Sequence, residues 1–289
     1  MKNTWLIILL TTSVSLILSS CKEVGPDITL KNNKNVVADT TYIESPVALP
    51  EQKNVVIEEF TGVRCPNCPQ GHQIITAIKA ANAGRIVAVS LHPLNSLGAP
   101  YSFSAQDFRS PKAQDLFDYL GQIGLEPAAG IDRVKFASES AILLEKSKWT
   151  NYVNQQMAIA APVNVLLETN YDSVTRLLTV AVELHYTQTV TEENRLTVAL
   201  TESNIVTAQL NGSVIDTFYT HKDIMRDFLT ALTGDAHNTT TEAGRVIRKT
   251  YQRTLDPLWK PENMHVAAYV HQFQTVKNIY QGKEKEIIQ

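Results

Sequence analysis

The chain has 289 residues, of which 44% are hydrophobic and 19% charged, and its formal net charge at pH 7 is −3. This length suffices for about two domains with hydrophobic cores, and the small net charge gives no electrostatic basis for binding nucleic acid. The number of cysteines, three, is odd, so at least one cysteine needs an explanation other than an intramolecular disulfide.

The first twenty residues have the pattern of a secretory signal. A short start containing Lys2 precedes an apolar stretch that two threonines interrupt, and two serines stand directly before Cys21. The apolar run is too short for a membrane-spanning helix, which needs roughly 20 such residues. The segment before Cys21 resembles a bacterial lipobox, and this resemblance implies that residues 1–20 are removed and that Cys21 is acylated. The alternative is an ordinary signal peptide with Cys21 merely nearby.

Residues 21–51 are polar and contain several prolines, which predicts a lipid-anchored tether with a short strand near residues 40–43. If lipid occupies Cys21, Cys65 and Cys68 are the remaining thiols. They would then lie in an exported compartment, where disulfides persist.

The stretch from residue 54 to residue 75 joins a strand-like run, a turn and a helix start. Residues 54–60 are apolar and β-branched, which predicts a buried strand, and residues 61–64 predict the turn after it. Cys65-Pro66-Asn67-Cys68 follows, and because proline is tolerated in the first turn of a helix, we expect Cys65 to cap a helix over residues 66–83. The positive end of a helix stabilises a thiolate, which predicts an exposed, nucleophilic Cys65 with Cys68 within disulfide reach.

Two other uses of this C-x-x-C pair stay open. One is an inert structural disulfide, which a cysteine spacing alone does not distinguish from a redox-active pair. The other is zinc, but a structural zinc site needs four ligands, and His72 and His92 lack the close spacing of the histidine pair in such sites. We therefore expect redox or disulfide chemistry, with no metal and no cofactor.

The strand, turn, C-x-x-C and helix resemble the active-site region of the thioredoxin-like superfamily. The resemblance implies that Cys65 is the attacking cysteine and Cys68 the resolving one. It also implies that Glu59 exchanges protons with the resolving thiol. Pro127, in the sequence GLEPAAGI, corresponds to the cis-proline that packs beside the disulfide and helps to hold the substrate strand.

The predicted α/β thioredoxin-like domain spans residues 52–161. Residues 85–92 predict a second buried strand, and the order strand, helix, strand implies that the two strands are parallel. Residues 104–120 predict an inserted helix beside the redox site, residues 129–136 a third strand, and residues 138–160 a long helix.

Residues 162–289 predict an all-β immunoglobulin-like sandwich with a helical insertion. Alternating and β-branched runs give the expected strands, at residues 163–168, 177–186, 195–201, 246–254, 266–273 and 279–287. The sequence HKDIMRDFL, from His221 to Leu229, has helical spacing and predicts the insertion. Within it, His221 and Arg226 are candidates for a ligand site or for an interdomain contact.

This order of parts resembles the outer-membrane-protein-28 family of lipoproteins, most specifically in the sequences TGVRCPNCPQGH and HKDIMRDF. The resemblance implies a cell-envelope location at the outer membrane, periplasmic or surface-exposed, with the membrane as a partner through lipid on Cys21. Two functions stay open. The first is thiol–disulfide exchange with protein thiols or disulfides of the envelope, and the second is binding or adhesion by a lipoprotein whose disulfide is structural. No nucleic-acid partner is expected.

Overall fold

The computed structural model describes residues 35–288, which form fifteen strands, three α-helices and two short 3-10 helices. The α-helices are α1 (Cys68–Ala81), α2 (Pro111–Leu120) and α3 (Trp149–Met157), and the 3-10 helices are Lys146–Lys148 and Pro261–Asn263. The strands are β1 (Val36–Ile43), β2 (Val55–Phe60), β3 (Ile86–Leu91), β4 (Ala128–Ile131), β5 (Leu143–Glu145), β6 (Val163–Asp172), β7 (Leu177–Tyr186), β8 (Asn194–Glu202), β9 (Ile205–Asn211), β10 (Val214–His221), β11 (Ile224–Phe228), β12 (Asp235–Ala236), β13 (Arg245–Thr254), β14 (Met264–Gln272) and β15 (Ile279–Glu286).

Two sheets and one separate hairpin contain all of these strands. The larger sheet has nine strands in the order β15-β14-β8-β11-β3-β2-β4-β5, with β12 paired to β8. Strand β3 is parallel to both β2 and β11, and the other pairs in this sheet are antiparallel. The smaller sheet has the order β1-β13-β7-β6, and β9 and β10 pair only with each other.

The helices cover both faces of the larger sheet around β2, because successive side chains on a strand point to opposite faces. Val56 and Phe60 pack with the buried face of α2. Val55 and Ile57 pack on the other face, in a cluster with α1 and α3. Strand β2 is therefore buried along its whole length, as its β-branched sequence predicts.

The C-terminal strands form packed sheets, but one of these sheets also contains the strands of the first half. A single apolar cluster joins β6, β7 and β13 of the smaller sheet to β8 and β14 of the larger one. Strands β8, β11, β14 and β15 continue the sheet that β2 and β3 begin. The prediction of a mostly β C-terminal half is confirmed. The larger sheet contains strands from both sides of the expected domain boundary at residues 161/162.

The predicted helical insertion is wrong, because HKDIMRDFL forms the end of β10 and the strand β11. Strand β11 pairs with β8, and its register shifts between Met225 and Asp227, so Arg226 is an extra residue in a β-bulge. The bulge resets the alternation of buried side chains. Ile224, Met225 and Phe228 are buried for this reason, and their spacing imitates that of a helix face.

Several other boundaries differ from the prediction. The long helix expected at residues 138–160 is instead the strand β5, a 3-10 helix and the short α3, and the helix expected from residue 104 begins at Pro111. Half of the segment 21–51 is described. It contributes β1, which begins at Val36, pairs with β13 and is longer than the short strand expected there.

A buried ion pair on β2 is extended by a hydrogen bond from the C-terminal strand β14. The Arg133 guanidinium donates to both carboxylate oxygens of Glu58, at 2.7 and 2.6 Å, and both side chains are fully buried. The hydroxyl of Tyr269 on β14 donates to the same carboxylate at 2.7 Å. The Glu58 carboxylate on β2 thus accepts hydrogen bonds from Arg133 and Tyr269, which are far apart in the sequence.

We predict that Arg133→Met lowers the free energy of unfolding by about 3–5 kcal/mol, because it leaves the Glu58 carboxylate buried without its counter-charge. Chemical denaturation followed by circular dichroism measures the loss. The double variant Glu58→Gln, Arg133→Met removes both charges and keeps an acceptor for Tyr269, so we expect it to be more stable than Arg133→Met alone. A double variant no more stable than the single one would contradict this account of the pair.

Candidate functional site

Cys65 and Cys68 form a disulfide at the start of α1, with their Cα atoms 5.4 Å apart. Asn67 is the N-cap residue and Cys68 is the first residue of the helix, so the predicted cap at Cys65 is wrong by two positions. Cys65 lies in the preceding turn, where its carbonyl accepts a hydrogen bond from the Cys68 amide at 3.3 Å. Pro69 occupies the first turn, where its missing N–H removes no intrahelical hydrogen bond.

The predicted exposure of Cys65 is also wrong, since Cys65 is 1% exposed and Cys68 is completely buried. The hairpin β9–β10 covers the turn that carries Cys65. The side-chain amide of Gln209 donates to the carbonyls of Gly62 and Cys65, at 3.2 Å each. The backbone amides of Leu210 and Gly212 donate to the carbonyls of Val63 and Pro66, at 2.7 and 3.0 Å.

A second segment, residues 97–100, also contacts this turn. The Arg64 amide donates to the Leu97 carbonyl at 2.8 Å, and its guanidinium donates to the carbonyls of Ala99 and Pro100, at 2.7 Å each. A side chain at Gly62 would meet the carbonyl oxygen of Leu97 at 2.3 Å, so only glycine fits there. The disulfide turn is therefore held between residues 97–100 and the hairpin.

Gly71, three residues after Cys68, brings the other predicted site residues together. A Cβ atom at Gly71 would lie 2.8 Å from Oε1 of Glu59, 3.0 Å from Cγ of Pro127 and 3.1 Å from the ring of Trp149. The Glu126–Pro127 peptide bond is cis, and the Glu126 carbonyl lies 3.5 Å from the Cys65 sulfur. Glu59 and Pro127 thus both contact the first turn of α1.

Burial raises the pKa of Glu59 well above the usual value for a carboxyl group, and the negative charges of Asp223 and Glu126 raise it further. The Ser90 hydroxyl donates to Oε2 at 3.2 Å, which acts in the opposite direction. Among residues 35–288, Oε1 has no hydrogen-bond partner. A carboxyl group in this setting favours its protonated form more than an exposed one does, and such groups are suited to proton transfer.

His72, one helical turn after Cys68, is the polar neighbour of Glu59. Its Nε2 lies 3.6 Å from Oε2 of Glu59 and 3.0 Å from the Thr61 hydroxyl, and its Nδ1 lies 2.8 Å from the Tyr219 hydroxyl on β10. Burial, followed by the charge of His221, lowers the pKa of His72 to about 3. The imidazole is therefore neutral at pH 7, and its hydrogen-bonding partners fix its orientation.

His221 and Arg226 lie near this region, but both are committed to structural contacts. The buried His221 ring packs edge-on against Phe108, at 4.9 Å between ring centroids. Arg226 pairs with Glu202 at 2.8 Å and donates to the Gln106 side chain at 2.6 Å. Both residues therefore contact side chains of the segment 52–161.

Some predicted residues cannot be placed in the structure, and some residues of the site were not predicted. Residues 1–20 and Cys21 lie outside the described residues. Gln209 and Tyr219 were not among the predicted site residues, because nothing near them in sequence indicates the disulfide that they approach. The spacing from Cys68 to His72 is the one signal that was open to sequence reasoning, since residues four apart share a helix face.

We predict that His72→Gln reduces the loss of stability on acidification. The folded-state pKa of His72 lies below its usual 6.5, so the unfolded chain binds the extra proton between pH 6.5 and 3, and stability falls as the pH falls through this window. The contribution from pH 6.5 to 4.5 is about 2 kcal/mol. Denaturation at both pH values measures it, with Thr76→Ala, a nearby exposed helix position, as the control. An unchanged pH dependence in His72→Gln would contradict the prediction.

Comparison with solved structures found matches at low sequence identity. One is HBP35 of Porphyromonas gingivalis, with a TM-score of 0.64, 20% identity, and coverage of 82% of this chain and 76% of that chain. Another, from Agrobacterium tumefaciens, has a TM-score of 0.49, 14% identity, and coverage of 83% and 96%. No curated protein sequence matches the chain. Within residues 35–288, no helix has both the length and the apolar character needed to cross a membrane.

A family model described as outer membrane protein Omp28 matches residues 114–287. The matched region begins after the C-x-x-C turn and includes Pro127, the hairpin and β11. It covers more than half of the 289 residues, so the chain belongs to the Omp28 family of outer membrane proteins and is a protein of the cell envelope.

Proposed function

We propose that this envelope protein is a thiol–disulfide oxidoreductase whose reactive pair is Cys65 and Cys68, in a thioredoxin-like first half. The observation that carries the proposal is the convergence on one helical turn. A disulfide begins α1, and Gly71 in the same turn contacts both the buried Glu59 and Pro127. A structural disulfide needs neither a buried carboxyl group of raised pKa nor a proline loop beside it.

In the proposed reaction, the Cys65 thiolate attacks one sulfur of a partner's disulfide, and that disulfide breaks as the mixed disulfide forms. Cys68 gives its proton to the Glu59 carboxylate and attacks the Cys65 sulfur. This second step forms the Cys65–Cys68 bond and releases the partner's remaining thiolate. The partner gains two electrons, and the reverse sequence oxidises a partner dithiol. We propose protein thiols and disulfides of the envelope as partners, and membrane attachment through lipid on Cys21.

A second function has one observation in its favour. Both cysteines are buried, as expected for an inert disulfide in a binding or adhesion protein. Under the oxidoreductase proposal, segments that pack on the Cys65 turn, the hairpin among them, must move before a partner reaches Cys65. The two proposals therefore differ in whether the cover opens while the rest of the protein stays folded.

We predict that Cys68→Ser forms a stable mixed disulfide through Cys65 when it meets a partner or a test disulfide, because the resolving thiol is missing. Non-reducing electrophoresis and mass spectrometry detect the adduct, and Cys65→Ser is the matched control that should form none. If native Cys68→Ser forms no adduct, and reduction of the wild-type disulfide unfolds the protein, the structural alternative is correct.

We predict that Gln209→Ala speeds reduction of the native disulfide by dithiothreitol about 10-fold, since it removes two hydrogen bonds that hold the hairpin to the turn. The rate is measured by acid quenching and thiol counting. Val206→Ala, at an exposed position of the same hairpin, should leave the rate unchanged. Equal rates for the two variants would show that the hairpin does not limit access.

A further inference from the structure

A cavity beside α1 leads to the buried carboxyl group of the disulfide site. Its volume is about 430 Å³, and its lining includes Glu59 and Ser90 from the larger sheet, His72 and Ala77 from α1, and Tyr219 from β10. The volume is ample for water, and the polar lining supplies hydrogen-bond partners for it. Cys68 lies at the buried start of the same helix.

The polar groups of the lining form a continuous series from Glu59 outward. Oε2 of Glu59 lies 3.6 Å from Nε2 of His72, which is a distance that a small ring rotation or one water bridges. Nδ1 of the same ring lies 2.8 Å from the hydroxyl of the half-buried Tyr219, and the lining also includes the exposed helix residues Thr76 and Ala77. Oε1 of Glu59, without a partner among the described residues, belongs to the same lining.

We propose that this cavity is the proton exit of the disulfide site, and that His72, oriented by Tyr219, exchanges protons between Glu59 and solvent. The inference rests on the proposed oxidoreductase function. When Cys68 attacks the Cys65 sulfur, its proton passes to Glu59, which becomes neutral. Because Glu59 favours its protonated form, it must release its own proton to solvent before it can accept the proton of Cys68, and without an exit a buried carboxyl group exchanges that proton slowly.

The charged and titratable groups around the exit are few. From β11 and its preceding turn, Asp223 lines the cavity, and Lys79 of α1 pairs with it at 3.0 Å. Lys222 lines the cavity next to Asp223, Glu126 acts on Glu59 from the proline loop, and His221 acts on His72 from β10. His72 is the titratable side chain in contact with both Glu59 and the Tyr219 hydroxyl.

The test is chemical rescue of the second step of exchange. The reduced full chain is mixed with oxidised glutathione and quenched in acid, and the mixed disulfide between Cys65 and glutathione is followed by mass spectrometry. We expect His72→Ala to form it at the wild-type rate and to resolve it about 100-fold more slowly. Added imidazole, which fits the space left by the side chain, should restore resolution.

A second variant separates proton exit from general damage. Ala77→Trp fills the cavity from an exposed position of α1, so we expect slow resolution in the single variant and no rescue by imidazole when it is combined with His72→Ala. Ala81→Trp, also exposed on α1 but outside the lining, should resolve like wild type.

The results of these measurements distinguish failure of the proton exit from failure of the oxidoreductase proposal. Wild-type resolution in His72→Ala, or slow resolution that imidazole does not change, overturns the proton exit and leaves the oxidoreductase proposal intact. If no mixed disulfide forms in any variant, including Cys68→Ser, the oxidoreductase proposal fails and the proton exit fails with it.

Discussion

The buried backbone of the turn at residues 62–66 is the constraint on which the site depends. Once a carbonyl group leaves water it needs a donor, or it costs free energy comparable to a lost hydrogen bond. The hairpin supplies these donors through Gln209, Leu210 and Gly212. This requirement explains why a segment about 145 residues away in the sequence packs on the turn that carries Cys65.

Adjacent glutamates on β2 show how the same strand serves both stability and chemistry. Side chains next to each other on a strand point to opposite faces, so Glu58 and Glu59 have different surroundings. Glu58 is saturated by Arg133 and Tyr269, which makes it a structural link across the sheet. Glu59 faces α1, and one of its oxygens has no hydrogen-bond partner within residues 35–288; its raised pKa makes it suited to proton transfer.

The sequence predicted the features that local patterns determine. The buried strand β2, the disulfide pair and the main C-terminal strands follow from apolar periodicity and cysteine spacing, and Glu59 and Pro127 follow from a resemblance in the surrounding motif. Apolar periodicity gave the wrong prediction at residues 221–229. The extra residue at the Arg226 bulge interrupts the two-residue alternation of the strand, so the buried positions have the spacing of a helix face. Gln209 and Tyr219 were missed because their roles arise from tertiary packing alone.

The hairpin connects access and proton transfer under the proposed function. Gln209 on β9 covers the Cys65 turn, and Tyr219 on β10 holds the His72 ring, so both contacts belong to one two-stranded unit. A partner that approaches the Cys65 turn therefore meets the same unit that orients His72. In the closed state, Gln209 holds this turn while Tyr219 keeps the His72 ring in position to exchange protons with Glu59.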